Sequence, residues 1–260
     1  MNKTKIDWVK GTDNKQGYTW NPVTGCLYGC EYCYAKRIAN RFGLHQETNK
    51  IKVLEERYVI ENNCIITGEK TIISNPYPYD FTPTFHKYRL DEPSKKTKGV
   101  NIFVCSMADL FADWIPDEWI KEVFETCKRA SQHRYLFLTK NPDRYIDLYE
   151  KKLLPYKENI WLGTTATMPT DEFVFFRDTP YKSFISIEPV LEPFGELAKG
   201  EMPQWVIVGV ETGNRKDKVI PKKEWILSIK EQCKGAGVPI FMKESLRELM
   251  SDEFIQEFPW

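Results

Sequence analysis

The chain has 260 residues, 42% of them hydrophobic and 28% charged, enough to bury a large core in one mid-sized α/β domain or two small ones. Lys plus Arg total 37 and Asp plus Glu total 37, so the net charge is zero and there is no overall electrostatic pull toward nucleic acid. No apolar run is long enough to cross a bilayer, and the first residues, MNKTKIDWVKG, lack the apolar core of a signal peptide. Seven cysteines, an odd number with only three clustered, predict free thiols in a reducing cytoplasm, with no membrane partner and no disulfide scaffold.

In chain order, a short strand is expected near Tyr18–Asn21. The stretch TGCLYGCEYCYAKR follows, with Cys26, Cys30 and Cys33 in a C-x3-C-x2-C spacing. A helix is predicted over Tyr34–Phe42, stopped by Gly43, with Tyr34, Ala35, Ile38, Ala39 and Phe42 as its apolar stripe. Residues 44–99 carry Pro76, Pro78, Pro83 and Pro93, which suits an irregular insertion after the first helix, with a small hairpin at Tyr58–Ile73. Thereafter short apolar runs alternate with helical patterns. The runs are Ile102–Cys105, Tyr135–Leu138, Ile160–Gly163, Phe184–Ile187, Trp205–Val210 and Pro239–Met242. Unbroken apolar runs of this length suit strands covered on both faces, as in a parallel sheet. Helices are predicted over Asp117–Ser131, Asp143–Leu153 and Lys222–Gly235, with Trp119, Ile120, Val123, Phe124 and Cys127 spaced along one face of the first. In Asp143–Leu153 the stripe is Tyr145, Ile146, Tyr149 and Leu153. The alternation predicts an α/β fold, a partial (β/α)6-type TIM-like barrel in one domain spanning 1–260, with the 44–99 insertion covering the barrel mouth. An open doubly wound sheet is the alternative. Neither common glycine-rich phosphate loop is present.

Polar residues follow nearly every apolar run. Ser106 and Asp109 come after the first, Lys140 after the second, Thr164 and Thr165 after the third, Glu188 after the fourth, Glu211 after the fifth and Lys243 after the sixth. The carboxyl edge of a parallel sheet is where ligands bind, so these residues describe a polar mouth that the cysteine loop shares. Polar strand ends and a structural ion-pair network are the plain alternative for each residue.

Three soft ligands suit zinc, copper(I) or an iron–sulfur cluster. Zinc would need a fourth donor, for which Cys64, Cys105 and His45 are the candidates. A 4Fe–4S cluster held by three cysteines leaves one iron open to a small chelating molecule.

The spacing, with Tyr32 before the last cysteine, resembles the signature of radical S-adenosylmethionine enzymes, and TGCLYGCEYCY is similar to the cysteine loop of spore photoproduct lyase. TWNPVTGC, RLDEP, FVCSMADLF, LTKNPDR, IWLGTT, ISIEPVL, WVIVGVETG and VPIFMKE occur in that order and resemble a phage-associated Gp37/Gp68-type family of unassigned function. VGVETG and MKES depart from the pattern of that family at two strand ends. The resemblance implies a 4Fe–4S cluster on Cys26, Cys30 and Cys33, with S-adenosylmethionine chelating the open iron. It implies adenine contact at Tyr32, contacts to the methionine amino group at Ser106 and Asp109, and ribose contacts at Thr164 and Thr165. Glu188 and Glu211 are further cofactor-binding candidates, and Lys140, Lys243 and Cys105 are the candidate catalytic residues, Cys105 as a hydrogen-atom donor. An external electron donor such as a flavodoxin or ferredoxin and a nucleic-acid or nucleotide substrate complete what the resemblance implies. Lys95, Lys96 and Lys98, and the aromatics Tyr77, Tyr79, Phe81 and Tyr88, are the only sequence features that bear on a nucleic acid, and they suit a solvated loop, a peptide or a metabolite equally. A non-catalytic iron–sulfur or zinc protein is the competing expectation.

Overall fold

A computed structural model describes residues 1–260 except 12–15, 47, 49, 64–69, 174–178, 198–201 and 213–214. The strands are β1 (Asn2–Lys3), β2 (Tyr18–Trp20), β3 (Val23–Thr24), β4 (Lys52–Leu54), β5 (Val59–Asn63), β6 (Lys70–Ser74), β7 (Thr84–His86), β8 (Asn101–Val104), β9 (Arg134–Thr139), β10 (Ile160–Ala166), β11 (Lys182–Ile187), β12 (Val206–Val208) and β13 (Ile240–Met242). The helices are α1 (Tyr34–Phe42), α2 (Asp117–Arg129), α3 (Asp143–Glu150), α4 (Lys223–Ala236) and the short α5 (Arg247–Met250). Among the described residues, no helix is long and apolar enough to cross a membrane.

Eight strands form one sheet in the order β1-β2-β8-β9-β10-β11-β12-β13, parallel from β2 onward. The six expected apolar runs all supply strands of this sheet. Their side chains alternate in the way the pleat demands. Ile102, Tyr135, Phe137 and Leu162 pack toward α2 and α3, and Ile185, Val206, Ile240 and Met242 toward α4. Phe103, Leu136, Trp161, Phe184, Ile207 and Phe241 face the other way, against Trp8, Val9, Phe258 and Trp260. Both faces are therefore dry, which is why these strands read as continuous apolar runs and not as alternating ones.

The expected partial barrel is not what forms: the sheet is open. At one edge β1 runs antiparallel to β2. At the other, the chain near its C-terminal end covers β13: Met242 N–H donates to the Ile255 carbonyl at 2.9 Å and Glu257 N–H to Ile240 at 2.9 Å, with an antiparallel bridge between Phe241 and Gln256. An edge strand already paired in this way offers no free ladder for closure onto the first strand. Among the described residues, moreover, the β10–β11 and β11–β12 connections contain no α-helix, so the regular alternation stops halfway across the sheet.

The helices follow their expected signals with two exceptions. In α2, Trp119, Ile120, Val123, Phe124 and Cys127 are buried, acidic Asp117 and Glu118 begin the helix, and basic Lys128 and Arg129 end it, all favourable to the helix dipole. Helix α4 ends on Gly237 in the left-handed conformation, φ +67°. The buried stripe of α3 is Tyr145 and Leu148; Ile146 and Tyr149 are exposed, because the Tyr145 hydroxyl donates to the Gly163 carbonyl at 3.0 Å and fixes the rotation of the helix. In α1 only Ala35 and Ala39 are buried, and Tyr34, Ile38 and Phe42 remain exposed.

The 44–99 segment contains the expected hairpin, β5–β6, whose 64–69 portion lies outside the described residues. It also supplies β4 and β7 to a second sheet, order β3-β7-β4. Phe85 on β7 stacks on Trp119 with ring centroids 5.1 Å apart, anchoring this segment on α2. Trp20 Nε1 donates to the Arg89 carbonyl at 2.9 Å, and the Arg89 guanidinium donates to Asn21 at 2.9 Å, tying the segment to the end of β2.

Candidate functional site

The cysteine loop lies at the carboxyl edge of the parallel sheet, between two other segments. Gly25 N–H donates to the Met107 carbonyl at 2.9 Å, and Cys26 N–H donates to Phe81 at 3.0 Å. Gly25 has φ +89°, and a Cβ there would lie 2.6 Å from the Phe81 carbonyl oxygen, so neither the conformation nor the space admits a side chain. Gly29 also has a positive φ, +70°, but open space around it. Cys33 caps α1, its sulfur accepting the Lys36 N–H at 3.4 Å.

Cys26, Cys30 and Cys33 line one cavity of about 420 Å³. Tyr32, Cys105, Ser106, Asp109, Lys140, Thr165, Glu188, Glu211 and Lys243 line it too. Twelve of the thirteen residues expected at the site, the three cysteines included, thus meet around one cavity. Thr164 does not: it is buried with the opposite parity, since adjacent residues of a strand point to opposite faces and Thr165 takes the cavity side.

Asp109 is buried and accepts three hydrogen bonds, from Phe111 N–H at 3.0 Å, the Thr139 hydroxyl at 2.8 Å and Lys140 N–H at 2.8 Å. Burial nonetheless outweighs them and raises its pKa. Lys140 Nζ donates to the Tyr32 hydroxyl at 3.0 Å and lies 5.4 Å from the ring centroid. Ser106 is held by Asn21, whose side-chain oxygen accepts both its hydroxyl, at 3.2 Å, and Met107 N–H, at 3.1 Å. Glu188 pairs with Lys243. Glu211 is gripped by Arg215 through two bonds of 2.8 Å, and this guanidinium holds its carboxyl below the usual range, with Lys218 and Arg37 adding to the effect. Burial pushes the Cys26 thiol up to about 12, and does the same to Cys105, which sits at the end of β8 with φ +57°.

Sequence reasoning missed Ser186. It is fully buried, lines the cavity, pairs in register with Thr165, and its hydroxyl has no hydrogen-bond partner among the described residues. The signal was present in FISI: a lone hydroxyl on the parity of Phe184, the face that leads to the cavity. Arg215, which also reaches Glu31 at 3.3 Å, carried no strand-end signal.

Among the described residues, no set of three or more His, Cys, Asp or Glu converges to hold one metal ion. His45 hydrogen-bonds Asp80 through its backbone N–H and stands apart from the cysteine cavity, and Cys64 lies outside the described residues. Thiolates are soft donors, and the three that line the cavity suit zinc, copper(I) or an iron–sulfur cluster by ligand type alone.

A second cavity of about 720 Å³ adjoins the first and shares Ile6, Tyr34, Ser106, Thr212 and Lys243 with it. Tyr77 lines this larger cavity and Phe81 the smaller, whereas Tyr79 packs on Tyr58 and Tyr88 on His86. Lys96 sits over Tyr18 at the start of β2, the end away from the cysteine loop.

Residues 3–250 match a family model described as a protein of unknown function (DUF5131). No curated protein and no solved structure matches the chain.

Proposed function

The chain belongs to the DUF5131 family, and we propose that it is a radical S-adenosylmethionine enzyme working in the reducing cytoplasm. The observation that carries this reading is the meeting of the three C-x3-C-x2-C thiols with the strand-end polar groups around one cavity. Cys26, Cys30 and Cys33 would hold a 4Fe–4S cluster, and Tyr32, Ser106, Asp109, Thr165, Glu188 and Glu211 would surround S-adenosylmethionine. When bound, the cluster and S-adenosylmethionine would supply one-electron radical chemistry for hydrogen abstraction from a substrate carbon, the electron coming from an external carrier such as a flavodoxin or ferredoxin.

The residues of the chain do the positioning. Gly25 and Gly29 let the loop turn tightly, and the crossing 81–82 segment holds its back. Phe81, Leu138 and Val210 give the cavity apolar walls that exclude water. Lys140, anchored on Tyr32, brings a cation to one wall, and Lys243, paired with Glu188, borders both cavities. Ser186 offers a hydroxyl that has no partner among the described residues and is open to a bound molecule or water. Cys105 keeps its proton at ordinary pH, so an S–H bond is available beside the site for hydrogen donation to a substrate radical. The resemblance in sequence supports a nucleic-acid or nucleotide substrate.

The test is anaerobic reconstitution followed by reduction with dithionite. Iron and sulfide in cluster proportion and release of 5′-deoxyadenosine, both lost when the three cysteines are changed to alanine, are the expected results. Tightly bound zinc, or a cluster that never cleaves S-adenosylmethionine, would refute the reading and leave the structural-metal alternative.

A further inference from the structure

The cavity of about 720 Å³ beside the thiol cavity lies where the open sheet fails to close. Thr19 on β2 pairs in register with Phe103, so its side chain points to the face where Phe103 and Phe241 lie. Thr19 and Phe241 both line this cavity, so the first and last strands of the parallel run aim side chains into one space. Asn2, Thr4 and Lys5 bring the β1 edge to it, and Gln256 and Phe258 bring the segment that covers β13.

That β1 edge is unpaired. Thr4 N–H donates to the Gly17 carbonyl at 3.0 Å and Asn2 stands opposite Thr19, so the backbone groups of Asn2 and Thr4 face β2. Antiparallel parity then turns the backbone N–H and C=O of Lys3 and Lys5 outward, and among the described residues nothing takes them up. Across the cavity, Ile255 and Glu257 bond to β13, which turns the backbone of Gln256 between them away from that strand. A free strand edge is a template for one more strand. The charges restrict which strand. Lys5 and Lys10 line the cavity with no ion pair among the described residues. The two carboxylates there are engaged: Asp7 accepts Trp8 N–H at 3.0 Å and Glu244 N–H at 2.7 Å, and Glu244 pairs with Arg247. Lysine at an edge discourages unselected pairing, so the strand that fits carries acidic side chains. A nucleic acid lacks the alternating donors and acceptors that a strand edge reads, and no arginine, the usual fork for phosphate, is among the described lining residues.

We propose that this cavity is a groove for an extended acidic peptide, which adds as a strand along β1 with Phe241 and Phe258 under its apolar side chains. The groove opens on the thiol cavity through Ile6, Tyr34, Ser106, Thr212 and Lys243, which line both, so a side chain of the peptide reaches the site. The inference goes beyond the functional reading above and holds whatever the thiols carry.

The probe is a capped hexapeptide of alternating Glu and Val, with an N-methylated copy that cannot donate to a strand edge and a copy with Lys in place of Glu. Affinity for the full chain is measured by titration calorimetry at low and high salt, and hydrogen exchange follows the amides of Lys3 and Lys5. Wild type is compared with a Lys5→Glu/Lys10→Glu variant and a Lys98→Glu control, with circular dichroism to confirm the fold. The expected results are salt-weakened binding of the Glu peptide, slowed exchange at Lys3 and Lys5, and a loss of about tenfold in the double variant and for the N-methylated and Lys peptides. The control should bind as wild type does. No binding up to about 1 mM, or binding without protection of the two amides, overturns the proposal. So does equal affinity for the N-methylated copy, or a single-stranded oligonucleotide that binds more tightly and is lost in the same double variant. Failure to form deoxyadenosine would refute the radical-enzyme reading and leave these measurements untouched.

Discussion

Gly163→Ala probes the middle of the sheet, directly below the candidate site. Gly163 on β10 pairs in register with Phe184 on β11, and a Cβ at Gly163 would fall 2.5 and 2.6 Å from two Cε atoms of that ring. Backbone on both sides is locked in parallel ladders, so the ring has to move. Phe184 packs on Trp8 with centroids 6.0 Å apart and on Trp205 at 5.7 Å. Aromatic pairs contribute about 0.5–1.5 kcal/mol each beyond their buried area, so disturbing both costs about 1–3 kcal/mol, the usual range for overpacking. Replacing glycine stiffens the unfolded chain and offsets about 0.4–1 kcal/mol of that. The expected net loss is about 1–2 kcal/mol, read as a lower urea midpoint with an unchanged slope and a fall in Tm of roughly 2–8 °C. Phe184→Leu in the same chain should recover part of the loss, with a coupling of about 1 kcal/mol in the double-mutant cycle. A Gly163→Ala protein as stable as wild type, or strict additivity with Phe184→Leu, would show that the ring does not fill this space. Thr165 and Ser186 lie two residues further along the same two strands, so ligand affinity should weaken along with stability.

Three further outcomes concern the cavity wall. Asp109→Ala leaves the Phe111 and Lys140 N–H groups and the Thr139 hydroxyl without their acceptor and should cost about 2–4 kcal/mol in urea unfolding. Because burial raises the folded pKa of Asp109 above its unfolded value, its contribution to stability is full below the unfolded pKa and declines as pH rises through the folded one; Asp109→Asn should flatten that decline, and an identical pH slope in both proteins would count against the assigned shift. Cys105→Ala should leave reconstitution intact but raise deoxyadenosine released without product once a substrate is known; full turnover with no added uncoupling would remove Cys105 as hydrogen donor.

The strands were legible because a sheet covered on both faces writes itself as unbroken apolar runs, and IFVC, YLFL, IWLG, FISI, WVIVGV and PIFM all became strands. The site was legible for a related reason: residues just beyond parallel strands share one edge, so Asp109, Lys140, Glu188, Glu211 and Lys243 were bound to meet. Thr164 was misassigned because chain order alone does not give the parity of the strand. The barrel was misread because local patterns do not show what happens at a sheet edge. The antiparallel β1 and the 255–257 segment over β13 depend on contacts far apart in the sequence. The stripe of α1 was misread for the same kind of reason: its period was right, but Tyr34 and Ile38 border a cavity and only Ala35 and Ala39 are buried. The quoted motifs turn out to be contacts. Asn21 of TWN holds Ser106 of CSMAD, and Arg89 of RLDEP holds Asn21.

The backing of the thiol-bearing turn by Phe81 on one side and Met107 on the other has a practical side. A short synthetic copy of that turn would keep the sulfurs but lose the walls that shape it, and would sample many geometries instead of one. Transplanting the motif into another scaffold should therefore succeed only if both flanking stretches travel with it, and what looks like a portable sequence signature is in physical terms a three-part assembly.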